Sequence, residues 1–141
     1  MSRTRASARA AGSTFERQVA DHLAAHVDDR IDRRVKTGAK DRGDIGGVRI
    51  PGGRRMVLEC KNTAKMSLGS WQGEAEVEMG NDDAAVSAIV HKRHGKGKAG
   101  SQWVTMTLDD LVVLLGGERP AAADSAPLAG IVASTVEGDT P

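Results

Sequence analysis

Two carboxylates and one ammonium stand out in the 141-residue sequence: Asp44 and, after a gap of fourteen residues, Glu59-Cys60-Lys61. Glu59 and Lys61 lie within RRMVLECKNTAK (54–65), an otherwise apolar run of the kind that forms a buried strand. Strand alternation puts Met56, Leu58 and Cys60 on one face, the core face, and Val57, Glu59 and Lys61 on the other. Pro51-Gly52-Gly53-Arg54 is turn chemistry between two β-rich runs, so residues 44–61 read as a hairpin. With the turn centred between Gly52 and Gly53, Asp44 faces Lys61, one pair from Glu59, and a bulge would move the pairing by a residue. Two carboxylates this close repel by roughly 4 kcal/mol at an effective dielectric of about 20. Lys61 can neutralise only one of them. A divalent cation with oxygen ligands balances the rest, and Mg²⁺ commonly takes one or two carboxylates together with substrate phosphate and water. Such an ion lowers the pKa of a bound water and neutralises charge on a pentacovalent phosphorus, with Lys61 orienting or helping to deprotonate the attacking water. Phosphodiester hydrolysis is the chemistry this permits. The competing reading is an exposed charged pair on the solvent face of a hairpin, nearly neutral in energy.

The elements that must position these residues follow from periodicity. Residues 1–11 read as a flexible basic arm carrying Arg3, Arg5 and Arg9. Ser13-x-x-Glu16 has capping-box form, and Phe15, Val19 and Leu23 recur at helical spacing, with Val27 ending the stripe. A short strand is expected near Ile31 to Val35, followed by the hairpin. Trp71, Ala75 and Met79 mark a second helix ended by Gly80-Asn81-Asp82. Ala85 to His91 reads as a strand, HKRHGKGKAG (91–100) as a basic Gly-rich loop, and Trp103 to Met106 as another strand. Thr107-x-x-Asp110 caps a last helix, with Leu108, Leu111, Val112, Leu114 and Leu115 expected in the core before Gly116-Gly117. Residues 118–141 have the composition of a disordered tail. The expected fold is α/β, a central mixed β-sheet flanked by helices, in a single domain over 12–117.

Composition narrows the function classes. Cys60 is the single cysteine, on the expected core face and therefore inert, which excludes an internal disulfide and a cysteine zinc site. His22, His26, His91 and His94 have no zinc-ligand spacing. The sequence has no 18-residue apolar run and no apolar leader, so the expectation is a soluble cytoplasmic protein without membrane contact. The net charge of +1 hides a tail with one basic and four acidic residues, so the first 117 residues carry about +4. Much of it is bunched in Arg30–Lys40 and in Lys92, Arg93, Lys96 and Lys98, clusters that can neutralise DNA phosphates or simply form solvated surface. Trp71 and Trp103 are assigned to the core in so aromatic-poor a chain, with base stacking as the alternative. GKGKAG lacks the spacing of a P-loop.

At Asp44 and Glu59-Cys60-Lys61 the sequence resembles the PD-(D/E)XK nuclease superfamily. FERQVADHL, RRVKTGAKDRGDIGG and VLECKNT resemble the opening helix, basic stretch, acidic turn and E-x-K strand of archaeal-type and phage Holliday junction resolvases, over residues 13 to about 107. Gly43 stands where the motif has proline. The resemblance implies a restriction-endonuclease-like fold and an Mg²⁺-dependent endodeoxyribonuclease, with Mn²⁺ able to substitute. The substrate it implies is a Holliday junction or other branched DNA, cut by a homodimer, in the host cytoplasm if the gene is of phage origin. It further implies metal ligation by Asp44, Glu59, the Cys60 backbone carbonyl and Glu16, and water positioning by Lys61. Glu16 borders the apolar stripe, and it can equally be the capping acid of Ser13. Phosphate contacts fall to Arg34, Lys36, Thr37 and Gly38, and Gln72 takes the place of a polar residue that related nucleases turn toward the site, unless it is merely solvated. The alternatives are a nuclease of the same core acting on flaps, nicks or single-strand ends, and a non-catalytic DNA-binding module.

Overall fold

The structure is a computed structural model that describes residues 4–35 and 41–121. Lys36, Thr37 and Gly38, and most of the expected tail, lie outside the described residues.

Helix α1 spans Arg5–His26. It starts eight residues before Ser13, because Ala and Arg in RASARAAG are strong helix formers and extend the amphipathic segment N-terminally. Thr4 is the N-cap, its Oγ1 accepting the Ser7 N–H at 3.1 Å. Residues 5–11 are thus helical rather than a flexible arm, and Ser13 and Glu16 sit in the helix interior, where no capping box forms. Phe15, Val19 and Ala20 are buried, whereas Val27 is exposed at the C-terminus.

Five strands form one sheet in the order β1 (Asp32–Arg33), β2 (Ile45–Gly46), β3 (Met56–Lys61), β4 (Val86–His91) and β5 (Trp103–Thr105). β3 and β4 pair in parallel and every other neighbouring pair is antiparallel. Helix α2 (Leu68–Asn81) is the crossover that a parallel β3–β4 pair requires. The sheet is therefore mixed and flanked by helices, as expected. Among the described residues no helix is long and apolar enough to cross a membrane.

The β2–β3 register is shifted from the expected one. Ile45 lies opposite Leu58, while Arg49 bridges Arg55, so the first strand holds one extra residue between the two pairs. That residue is accommodated at Gly46-Gly47, where Gly47 adopts φ +84° and a Cβ would come within 3.0 Å of the Arg30 carbonyl oxygen, so a side chain there would be strained. Asp44, just before Ile45, is consequently drawn to Leu58 and Cys60 of β3 rather than to Lys61. A displacement of two residues preserves alternation, so the expected face of every β3 side chain survives.

The two faces have different cover. Leu58, Cys60, Ala88 and Val90 pack with Ile31, Ile45 and Val48 under Phe15, Val19 and Ala20 of α1. Removing the Phe15 ring from water alone contributes about 1.5–3 kcal/mol. On the opposite face α2 lays Trp71 and Ala75 over the sheet, with Val57 and Ile89 fully buried. Helix α3 (Leu108–Leu114) is capped as expected, Thr107 Oγ1 accepting from the Asp110 N–H at 3.1 Å. Its core contact is Val113, with Val86 and Ile50, whereas Leu108 and Leu115, expected inside, are exposed. The buried Asp110 carboxylate binds Arg119, which also donates to the Ala85 carbonyl at 2.9 Å. Arg119 is thus part of the folded body and not of the tail.

Candidate active site

Asp44 is held on three sides by backbone chemistry. Its N–H donates to the Leu58 carbonyl at 2.9 Å, its carbonyl accepts from the Arg34 N–H at 2.8 Å, and its Oδ2 accepts from the Cys60 N–H at 2.7 Å. The last bond turns the Cys60 amide toward β2 and fixes the carboxylate beside β3. Gly43 makes this approach possible. At φ +96°, with Val57 Cγ1 only 3.0 Å from where a Cβ would sit, the position excludes proline sterically and strains any L-residue. Gly43→Ala is therefore expected to destabilise the fold by about 1–3 kcal/mol. Denaturant unfolding with an unchanged midpoint would show that this backbone is not constrained.

Asp44, Glu59 and Lys61 come together, and the pair is not on a solvent face. Asp44 and Glu59 are 3% and 4% exposed, because α2 covers the side of β3 from which Glu59 projects. Lys61 Nζ lies 3.7 Å from Glu59 Oε2 and 2.7 Å from Glu74 Oε2 on α2. Burial alone would lower the Lys61 pKa, but the Glu74 hydrogen bond and the charges of Glu59 and Asp44 outweigh it and hold the ammonium above its ordinary value. Lys61 is a resident cation in this setting and a poor proton acceptor, so of its two expected roles orientation of water remains.

A further carboxylate enters from α2. Glu78 is buried, and its carboxyl group lies close enough to that of Glu59 for each to influence the other's protonation. Among the described residues Glu59 Oε1 and Glu78 Oε2 find no hydrogen-bond donor, and a shared proton or a cation would relieve the repulsion between two such acids. Burial, Glu78 and Asp44 all push the Glu59 pKa upward. Burial also raises that of Glu78, with Asp41, Asp44 and Glu74 adding to it. Sequence reading missed Glu74 and Glu78. The available signal was Glu78 three residues after Ala75, inside the buried stripe of α2, where Met79 had been placed. Gln72 instead donates to Glu76 along the helix at 3.1 Å.

The remaining expected residues make contacts of their own. Glu16 is buried on α1 with Oε1 3.3 Å from the Arg33 guanidinium. Arg34, expected to hold phosphate, places its guanidinium 3.1 Å from Asp82 Oδ1 and donates to the Arg42 carbonyl. Both arginines line a cleft of about 620 Å³ together with Arg9, Arg17 and Glu16. The 92–98 loop is not a loose clamp. Gln102 accepts from the Arg93 N–H at 2.7 Å and donates to the Lys96 and Lys98 carbonyls at 3.0 and 2.7 Å. The Lys92 ammonium turns back onto the Lys96 carbonyl, while Lys96 and Lys98 are exposed. Loss of the three Gln102 bonds in Gln102→Ala is expected to lower local stability by about 2 kcal/mol. Faster trypsin cleavage between Lys92 and Lys98 would register it, and an unchanged cleavage rate would contradict it. Trp103, expected in the core, is 48% exposed with the Arg93 guanidinium 4.5 Å from its ring centre.

No family model, no curated protein and no solved structure matches this chain. The site must therefore be judged on its own chemistry. Among the described residues no group of three or more His, Cys, Asp or Glu side chains is arranged to hold a metal ion. Asp44 and Glu59 remain an all-oxygen pair with surplus negative charge and an orphaned buried oxygen on Glu59, a donor set suited to Mg²⁺ completed by water and phosphate.

Proposed function

We propose that the chain is an Mg²⁺-dependent endodeoxyribonuclease of the PD-(D/E)XK type that hydrolyses phosphodiesters in Holliday junctions or other branched DNA. The observation that carries this reading is the buried pair Asp44 and Glu59, with Asp44 Oδ2 2.7 Å from the Cys60 N–H next to Glu59 and Lys61 3.7 Å from Glu59. An exposed pair would be nearly neutral, whereas burying surplus negative charge disfavours folding and calls for a function. The element order supports the restriction-endonuclease-like form of the fold: a helix, an antiparallel meander of three strands, a crossover helix and a strand parallel to the third.

Asp44, Glu59 and the Cys60 carbonyl would hold the ion, which supplies charge neutralisation at phosphorus and a bound water of lowered pKa. Lys61, kept protonated by Glu74, Glu59 and Asp44, donates a hydrogen bond that orients the water and accompanies charge build-up on the phosphate oxygens. A proton shared by Glu59 and Glu78 would be released to solvent when the ion binds, leaving Glu59 as the anionic ligand. Arg9, Arg17 and Arg33 present their guanidinium groups to the DNA backbone along the 620 Å³ cleft. Glu16, paired with Arg33, would aim that guanidinium, and the resemblance assigns it a further place in the metal shell.

The direct test is cleavage of an end-labelled four-way junction beside a flap and a linear duplex of the same sequence, with Mg²⁺ and with EDTA. Paired symmetric cuts in the junction support resolution. Cuts confined to the flap would shift the substrate class, and binding without cuts in any of them would reduce the chain to a DNA-binding module. Symmetric resolution needs two sites, so the active species is expected to be a homodimer by light scattering.

A further inference from the structure

Beside Lys61 the structure contains a second cavity that the reaction does not use. It has a volume of about 140 Å³ and is lined by Lys61, Trp71, His91, Lys92, His94 and Trp103. Its floor is held by two contacts: the His91 ring lies tilted by 50° against Trp71 with ring centres 5.7 Å apart, and its Nε2 meets Thr105 Oγ1 at 2.8 Å. Burial holds His91 toward its neutral form. One wall is closed by His94, whose Nε2 lies 2.9 Å from the Thr63 carbonyl and so ties the loop after β4 to the loop after β3. At the rim, Trp103 keeps about half its surface in water while Arg93 covers one face of the indole.

An exposed indole is an unfavourable use of one of only two tryptophans unless a partner covers it. The cavity has room for a single planar ring. Its lining combines aromatic surface for stacking with imidazole groups along the walls. It opens at the residue that would orient the attacking water. Resting on the nuclease reading, we infer that this cavity receives one unpaired DNA base next to the scissile phosphate, with Trp103 as its stacking platform. Arg93, the indole and the base would form one stack, and the preference for branched over continuous duplex DNA would come from the need for a base free to leave its pair.

Binding measured in EDTA, where no strand is cut, tests this separately from catalysis. The probes are a duplex carrying a single unpaired 2-aminopurine and the same duplex fully paired. The wild type is expected to quench the unpaired fluorophore and to prefer that probe. Trp103→Ala should lose about tenfold in affinity for it, as base–aromatic stacking commonly provides, with little change for the paired duplex. Trp103→Phe should restore most of the loss. Because Trp103 lies on the exposed edge strand β5, a melting temperature close to the wild type is expected for both variants. Equal weakening on both probes, or no quenching by a wild type that binds both equally, would overturn the base pocket and leave the nuclease reading in place. No binding of either probe would overturn both.

Discussion

Lys61→Ala is expected to lower Mg²⁺-dependent cleavage of a four-way junction by about 10²–10³-fold, the usual consequence of losing one preorganised donor at a developing charge. Affinity for uncut junction in EDTA should stay close to the wild type, because the cleft arginines proposed to meet phosphate are untouched. The geometry makes the expectation specific. Lys61 is the cation between Glu59 and Glu74, and its raised pKa keeps it charged throughout the pH range of the assay. Loss of activity should therefore appear as lower turnover with unchanged binding, and rate profiles should show no titration of Lys61 near neutrality. A Lys61→Ala protein that cuts at the wild-type rate would return Glu59 and Lys61 to a structural ion pair.

The second large effect concerns stability. Glu59 and Glu78 are both shifted upward from the ordinary value of 4.5. Between that value and the raised one, the folded chain holds a proton that the unfolded chain has released. Stability contributed by the pair is thus fully present below the ordinary carboxylate range and declines as pH rises through neutrality, by about 1.4 kcal/mol per pH unit for each extra proton held. Glu59→Gln keeps the shape and can donate to Glu78 without titrating. In EDTA it should be more stable than the wild type at pH 8, on the order of 2 kcal/mol, and close to it at pH 4.5. The same substitution should abolish cleavage. Mg²⁺ should stabilise the wild type more at pH 8 than at pH 5, since the ion takes the place of the shared proton, and should leave Glu59→Gln nearly unaffected. A wild-type minus variant difference that does not change with pH would show that the two carboxyl groups do not share a proton.

Buried acid at the centre of a sheet is the sort of local inconsistency that marks function, and it was partly legible in the chain. Glu59 and Lys61 interrupt an apolar run, and the interruption pointed to the site. What the run could not reveal was that the face opposite the core is itself covered. That depended on α2, whose residues are nearby in sequence but meet β3 only because the parallel β3–β4 pairing demands a crossover. The same packing brought Glu74 and Glu78 to the site, residues that look like ordinary helix surface when read one element at a time.

Local signals succeeded where the interaction they report is itself local. Alternation in β3, the turn at Pro51-Gly52-Gly53, the Thr107 cap and the end of α2 each involve residues within a few positions of one another, so sequence alone determined them. It also determined the identity of the Asp44, Glu59 and Lys61 trio and its placement on a hairpin. Tertiary structure alone decided the rest. The extra residue at Gly46-Gly47 changed the β2–β3 register, the approach of Gly43 to Val57 set the Asp44 carboxylate against Cys60, and the position of β5 at the sheet edge left Trp103 in water. Backbone propensity and side-chain period act over one or two turns of chain. Burial and electrostatic environment are set by which distant elements arrive at the same place, and in this protein they turn a charged pair into a candidate metal site.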